Sequence, residues 1–154
     1  MSQHESTPGV EARLLAALAH GSIVIQGLGI LVGVVVYLTQ REKSRYAALQ
    51  ALQAAVYQFI CMVVIVGLWV AWGIFYAVSW IPLISQAQTM PDAPPPPLFW
   101  VGLVSMVIPF VLMIVVGLYG LWAATRVWQG RDFRYLIIGR WLERSGLWNA
   151  GAAS

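Results

Sequence analysis

Three long apolar stretches alternate with short polar ones along this chain. The first is free of charge from Leu14 to Gln40, the second between Arg45 and Asp92, and the third from Ala93 to Thr125. A helix rising about 1.5 Å per residue needs roughly 20 residues to cross a hydrocarbon core, so each stretch is long enough to span a bilayer. The pattern predicts membrane-crossing helices at about 14–39, 57–80 and 98–125. The expected fold is all-α: an integral membrane bundle of three transmembrane helices over 12–127, preceded by a mobile tail over 1–11 and followed by a basic interfacial segment over 128–154.

The second stretch organises the rest. It opens as SRYAALQALQAAVYQF and passes without a break into the apolar ICMVVIVGLWVAWGIFYAVSW. The opening carries Gln50, Gln53 and Gln58 among Ala47, Ala48, Ala51, Ala54 and Ala55. Small residues let neighbouring backbones approach closely, so this part of the helix is expected to pack on another at or just below the membrane surface.

Charge sets the expected threading. The first loop holds Arg41, Lys43 and Arg45 against Glu42, whereas the second, IPLISQAQTMPDAPPPP, has neither Lys nor Arg. Short basic connections stay in the cytoplasm. Arg126, Arg131, Arg134, Arg140 and Arg144 place the carboxyl end on the same side as the first loop. Three spans then put the amino terminus outside and the carboxyl terminus in the cytoplasm of a multi-pass plasma-membrane protein. A four-span count, splitting the gap between Arg45 and Asp92, would put the two basic segments on opposite sides and conflicts with that bias. The proline run serves as a stiff spacer that ends the second span. Pro109 lies inside the third helix, where it is expected to kink it.

Composition narrows the function classes. Of the 154 residues, 60% are hydrophobic and 10% charged, far from the roughly one-quarter charged share of soluble domains. The net charge of +3 is too small to suggest nucleic acid as a partner. With one cysteine, Cys61, and two histidines, His4 and His20, the chain offers neither a hydrolytic triad nor a three-ligand metal site. No enzyme is expected.

A few residues remain as candidates. Gly29 and Gly33 form a G-x-x-x-G pair suited to close helix packing. Trp69, Trp72, Tyr76 and Trp80 make a helical stripe able to bind a carotenoid, a quinone tail or another polyisoprenoid; its commoner meaning is an aromatic belt, which Trp69 lies too deep to fit well. Arg131, Arg134, Arg140 and Arg144 suit lipid headgroups. His20 is the ionisable group nearest the membrane interior, and one imidazole nitrogen suffices to ligate the magnesium of a chlorophyll-type pigment. The competing reading bonds His20 to Gln50, Gln53 or Gln58. If the first two helices both span, however, His20 lies near the outer end of one and Gln50 and Gln53 near the inner start of the other. That arrangement predicts that His20 meets the outer half of a neighbouring helix, water or a cofactor.

The segments EARLLAALAH, QREKS, YAALQALQAAVYQ and AATRVWQGRDFRY together resemble a bacterial membrane family of unknown function whose members look like the import component of the inner chloroplast envelope. Family members usually carry proline after the last aromatic, where this chain has Leu136. The resemblance implies three or four packed helices and a transport or protein-translocation role. The residues themselves favour a non-catalytic accessory or scaffold subunit of a larger membrane protein complex, packed with membrane lipids or lipid-soluble cofactors. A carotenoid- or chlorophyll-binding subunit of an energy-transducing complex is the alternative.

Overall fold

A computed structural model describes residues 8–25, 27–135 and 138–139. The described residues form five α-helices and no strand: α1 (Val10–Gly21), α2 (Leu28–Gln40), α3 (Arg45–Thr89), α4 (Pro97–Val104) and α5 (Val107–Trp128). Two stretches are long and apolar enough to cross a membrane, Arg45–Thr89 and Pro97–Trp128. The chain divides into two compact units, Met1–Met62 with Gly117–Ser154, and Val63–Val116.

The expected first span is interrupted. After α1 the backbone makes a single 3₁₀ turn over Ser22–Val24, and Gly27 takes a positive φ of 79° before α2 begins. Only glycine adopts that conformation at little cost. α1 and α2, with 12 and 13 residues, are about 18 and 20 Å long, each short of a hydrocarbon core of roughly 30 Å. They fold against one another as a hairpin. Going up α1, Arg13 sits beside Gly130, His20 bonds Gln50, and the Ala19 carbonyl takes a bond from Gln58. Going down α2, Gly29 meets Gln58, Gly33 meets Ala51 and Ala55, and Gln40 reaches Ser44 just before α3. α1 therefore runs with α3 and α2 runs against it. The hairpin returns to the end from which it started, and α1 begins at Val10, inside the expected tail.

α3 starts where the sequence changes character: the Ser44 hydroxyl accepts the Ala47 amide and caps the helix. It continues through Pro82 to Thr89, past the expected end at Trp80, and stops before Pro91. In the first unit its alanines are the packing surface. Ala47, Ala51 and Ala54 are fully buried, as are Ala16 and Ala19 on α1 and Ala123 on α5, so the helices approach at backbone distance.

α5 ends in a Schellman turn. The Gly130 amide bonds the Val127 carbonyl, the Arg131 amide reaches Arg126, and Gly130 has a φ of 76°. The chain then turns back onto the bundle. Residues 131–135 are not helical, and Phe133, Tyr135 and Ile138 are buried with Ala16, Ala123 and Val127. The start of the expected interfacial segment is thus a strap against the bundle: alternation along Arg131, Asp132, Phe133, Arg134 and Tyr135 buries the rings of Phe133 and Tyr135 and leaves Asp132 and Arg134 exposed.

In the second unit, the expected third span over 98–125 breaks at Ser105 and Met106. Pro109 lies four residues past Ser105, so its missing amide leaves the Ser105 carbonyl without its helical partner. Ile108 takes that carbonyl in a tighter turn at 3.0 Å. Ahead of α4, Pro96 is extended with φ −63° and ψ 151°, as the proline run requires.

Candidate functional site

The first unit buries an unusual amount of polar chemistry for so apolar a chain. His20, Gln50 and Gln53 are almost completely inaccessible, and Gln58 nearly so. They are organised by three elements: α1 brings His20, α3 brings the glutamines at helical spacing, and the strap after α5 brings Asp132, Arg134 and Tyr135.

The bonds form one chain with a fixed direction. The Asp132 carboxylate can only accept, so Gln50 must turn its amide NH2 towards it, at 2.7 Å. Gln50 Oε1 then faces His20 Nε2 at 3.2 Å and accepts its proton. His20 Nδ1 is left as an acceptor for the Tyr135 hydroxyl at 3.0 Å. At the far end Arg134 Nε donates to Asp132 at 3.0 Å, where both side chains are about half exposed. The result is Tyr135 to His20 to Gln50 to Asp132, running from the core to the surface.

Burial keeps this histidine neutral. His20 lies on α1, outside both candidate spans, and desolvation lowers it from 6.5 to about 4, opposed by the bond to Gln50. Tyr135 is pushed far above the ordinary tyrosine range by burial and then by Tyr57 and Tyr119. The Tyr57 ring stacks on Tyr135 at 4.1 Å and 11°, and Phe133 meets Tyr135 edge-on at 5.0 Å. The Tyr135 amide donates to Gln53 Oε1 at 3.4 Å, while Gln53 Nε2 has no acceptor among the described residues.

A second polar knot holds the hairpin apex. Gln58 Nε2 donates to the Ala19 carbonyl at 2.8 Å, and Ser22 Oγ donates to the same carbonyl and to that of Gly29. A Cβ on Gly29 would collide with Gln58 Oε1 and the Ser22 carbonyl; one on Gly33 would lie 3.0 Å from Ala55 Cβ and 3.1 Å from the Ala51 carbonyl. Both glycines of the sequence pair therefore face α3.

His20 thus meets Gln50, and the prediction of an outer-half partner is corrected. Depth separated the two residues only while the first helix was taken as a full span; the break at Ser22–Gly27 removes that separation. Both ring nitrogens are engaged, so neither is free for a pigment magnesium without giving up a bond. Tyr135, Asp132 and Phe133 were not singled out by sequence reasoning, although the alternation of the strap was legible.

The tryptophan stripe lies in the second unit, where its rings contact one another and their neighbours. Trp72 stacks on Tyr76 at 5.1 Å and donates from Nε1 to the Gly102 carbonyl at 3.1 Å; Trp69 meets Phe110 edge-on at 5.1 Å; Trp80 meets Phe99 at 5.6 Å. Gly102 allows this approach, since a Cβ there would overlap the buried Ser79 side chain. These rings join α3 to α4 and α5, and Trp80 remains partly exposed.

The described cations, Arg13, Arg41, Lys43, Arg45, Arg126, Arg131 and Arg134, all belong to the first unit, at the start of α1, between α2 and α3, and after the middle of α5. Arg140 and Arg144, the other two expected headgroup contacts, lie outside the described residues. Among the described residues no group of three or more His, Cys, Asp or Glu side chains could hold a metal ion.

Residues 11–142 match the family model MamF_MmsF, described as the magnetosome magnetite crystal formation protein family. No curated protein and no solved structure matches the chain. The family match overturns the resemblance to the family likened to the chloroplast-envelope import component. The segments that carried it are built of alanine, glutamine and basic residues, which close helix packing and a basic membrane face select in many helical proteins. The translocation role rested on that resemblance and falls with it.

Proposed function

This chain belongs to the magnetosome magnetite crystal formation family, MamF/MmsF, and on that premise we propose that it is a non-catalytic accessory subunit of the magnetosome membrane that acts in crystal formation by joining a larger membrane assembly. The observation that carries this reading is where its polar chemistry lies. His20, Gln50, Gln58 and Tyr135 of the first unit bond to protein groups of that unit, in contacts that fix a hairpin and a strap. The polar stretch between α3 and α4 offers a growing iron oxide one carboxylate, Asp92. Iron minerals are bound through clustered oxygen ligands, and a single carboxylate supplies too few. Influence on the crystal then comes through the company the protein keeps.

The orientation follows from charge. The α2–α3 connection and the end of α5 are basic and form the cytoplasmic side, and the hairpin puts the start of α1, where Arg13 follows Glu11, on that side too; the α3–α4 connection faces the magnetosome lumen. α1 therefore begins on the cytoplasmic side, opposite to the orientation expected from three spans.

Two measurements on a magnetite-forming bacterium test this. Removing the protein is expected to change crystal size, and expressing it again to restore that size, as read by electron microscopy. Gentle detergent extraction followed by native electrophoresis should show it migrating within a larger assembly. Unchanged crystals, or migration only as the isolated small protein, would contradict the proposal.

A further inference from the structure

The hairpin of α1 and α2 carries its charge at one end only. Glu11 and Arg13 open it, Arg41, Glu42 and Lys43 close it, and no Asp, Glu, Lys or Arg lies between Arg13 and Arg41. Its tip is the opposite. Val24 is 67% exposed and Ile25 56%, with Leu28 exposed beyond them. A turn of this kind in water would leave apolar side chains bare, whereas a turn in lipid must have its backbone groups satisfied by protein. This one does: the Ile25 amide donates to the Ser22 carbonyl, the Gly29 amide to the Ile25 carbonyl, and Ser22 Oγ and Gln58 Nε2 both donate to the Ala19 carbonyl. Length sets how deep the tip goes. At about 18 and 20 Å, α1 and α2 match half of a bilayer that is roughly 40–45 Å thick with its headgroups. Along their sides Leu18, Leu31 and Val35 are each more than half exposed.

We propose that the hairpin inserts into the one leaflet beside the α2–α3 connection and makes the protein favour a membrane curved so that this leaflet is convex. Two helices about 10–12 Å wide add roughly 160–230 Å² of cross-section to that leaflet. Among the described residues, Val63–Val116 holds α4 and parts of α3 and α5 but no such hairpin. The added area fits best where the leaflet is stretched over a convex surface, which is why one-sided apolar insertions respond to curvature. With the connection in the cytoplasm, the convex leaflet is the outer one of a closed vesicle, so the hairpin holds the protein on small vesicles in preference to flat membrane. The inference rests on the hairpin and not on the role in crystal formation.

The test uses the full-length protein in giant vesicles of phosphatidylcholine and phosphatidylglycerol, from which a narrow tube is pulled outward. In a Cys61→Ser background, a membrane-impermeant fluorescent maleimide added outside marks Lys43→Cys only in molecules whose hairpin lies in the outer leaflet, and Asp92→Cys only in those inserted the other way. The first set is expected to be denser in the tube than on the vesicle, increasingly so as the tube narrows, and the second set to be sparser. Equal density of both sets in tube and vesicle is the result if protein and not lipid covers the hairpin; that, or enrichment of the second set, would overturn the proposal. Val24→Asp with Ile25→Asp charges the exposed tip and should abolish the enrichment of the first set, whereas wild-type enrichment in this variant would count against the tip as its source. The comparison of the two orientations stands whether or not that variant folds.

Discussion

Replacing Gln50 with Leu cuts the buried chain at its middle. Gln50 fills two roles, accepting from His20 Nε2 and donating to Asp132. His20 is wholly buried, so its Nε2 proton would be left without an acceptor, a cost of about 1–3 kcal/mol. Asp132 is about half exposed and recovers a bond from water, so its loss adds little. Measured bonds between helices in membranes average nearer 0.6 kcal/mol, which sets the lower end at about 1 kcal/mol for the two. A destabilisation of roughly 1–3 kcal/mol is therefore expected when unfolding in mixed micelles is driven by added dodecyl sulfate and followed by tryptophan fluorescence. A double-mutant cycle with His20→Phe isolates the pair. Removing both partners spares the orphaned donor, so the double variant should be about 1 kcal/mol more stable than the two single effects added. Additive effects, or a Gln50→Leu cost below about 0.5 kcal/mol, would refute the view that this chain holds the first unit together.

Other perturbations read neighbouring parts of the structure. Gly29→Ala drives a methyl into the Ser22 carbonyl, which cannot move without opening the hairpin, and should cost about 1–3 kcal/mol in the same unfolding assay. Because burial lowers His20 from 6.5 to about 4, the unfolded chain binds the extra proton first; stability should be complete above about pH 6.5, fall by up to about 3 kcal/mol on acidification to about pH 4, and stay level below, a dependence absent in His20→Phe. Trp72→Phe keeps the stacking on Tyr76 and removes the bond to Gly102, and should cost about 1 kcal/mol with no effect on the pH profile.

Much of the architecture was legible where local chemistry and helical period agree. Ser44 as a helix start, the alanine and glutamine face of α3, and Gly29 and Gly33 as packing positions all depend on neighbours in sequence. The break in the first apolar stretch was not legible, because hydropathy is the same for one span of 26 residues and for two short helices folded together. Glycine at position 27 marks the turn only once its positive φ is seen. That one break also moved His20 from the level of the outer tryptophans to Gln50. The strap hid for a different reason: its arginines marked the segment as basic and interfacial, while the alternation that buries Phe133 and Tyr135 has a period of two and runs for only a few residues. Three spans would have set the amino-terminal end, with Arg13, on the opposite side from the other basic segments, and the hairpin brings Arg13 beside Gly130 at the end of α5.

The central claim is that the α1–α2 hairpin enters and leaves on one side, so that the start of α1 shares a side with the α2–α3 connection. Single cysteines at Val10, Ser44 and Asp92 in a Cys61→Ser background, probed with a membrane-impermeant maleimide on intact magnetosomes, test it directly. Positions 10 and 44 are expected to label on the intact vesicles, and position 92 only after the membrane is opened. Protection of position 10 together with labelling of position 44 would mean that the first stretch crosses the membrane after all.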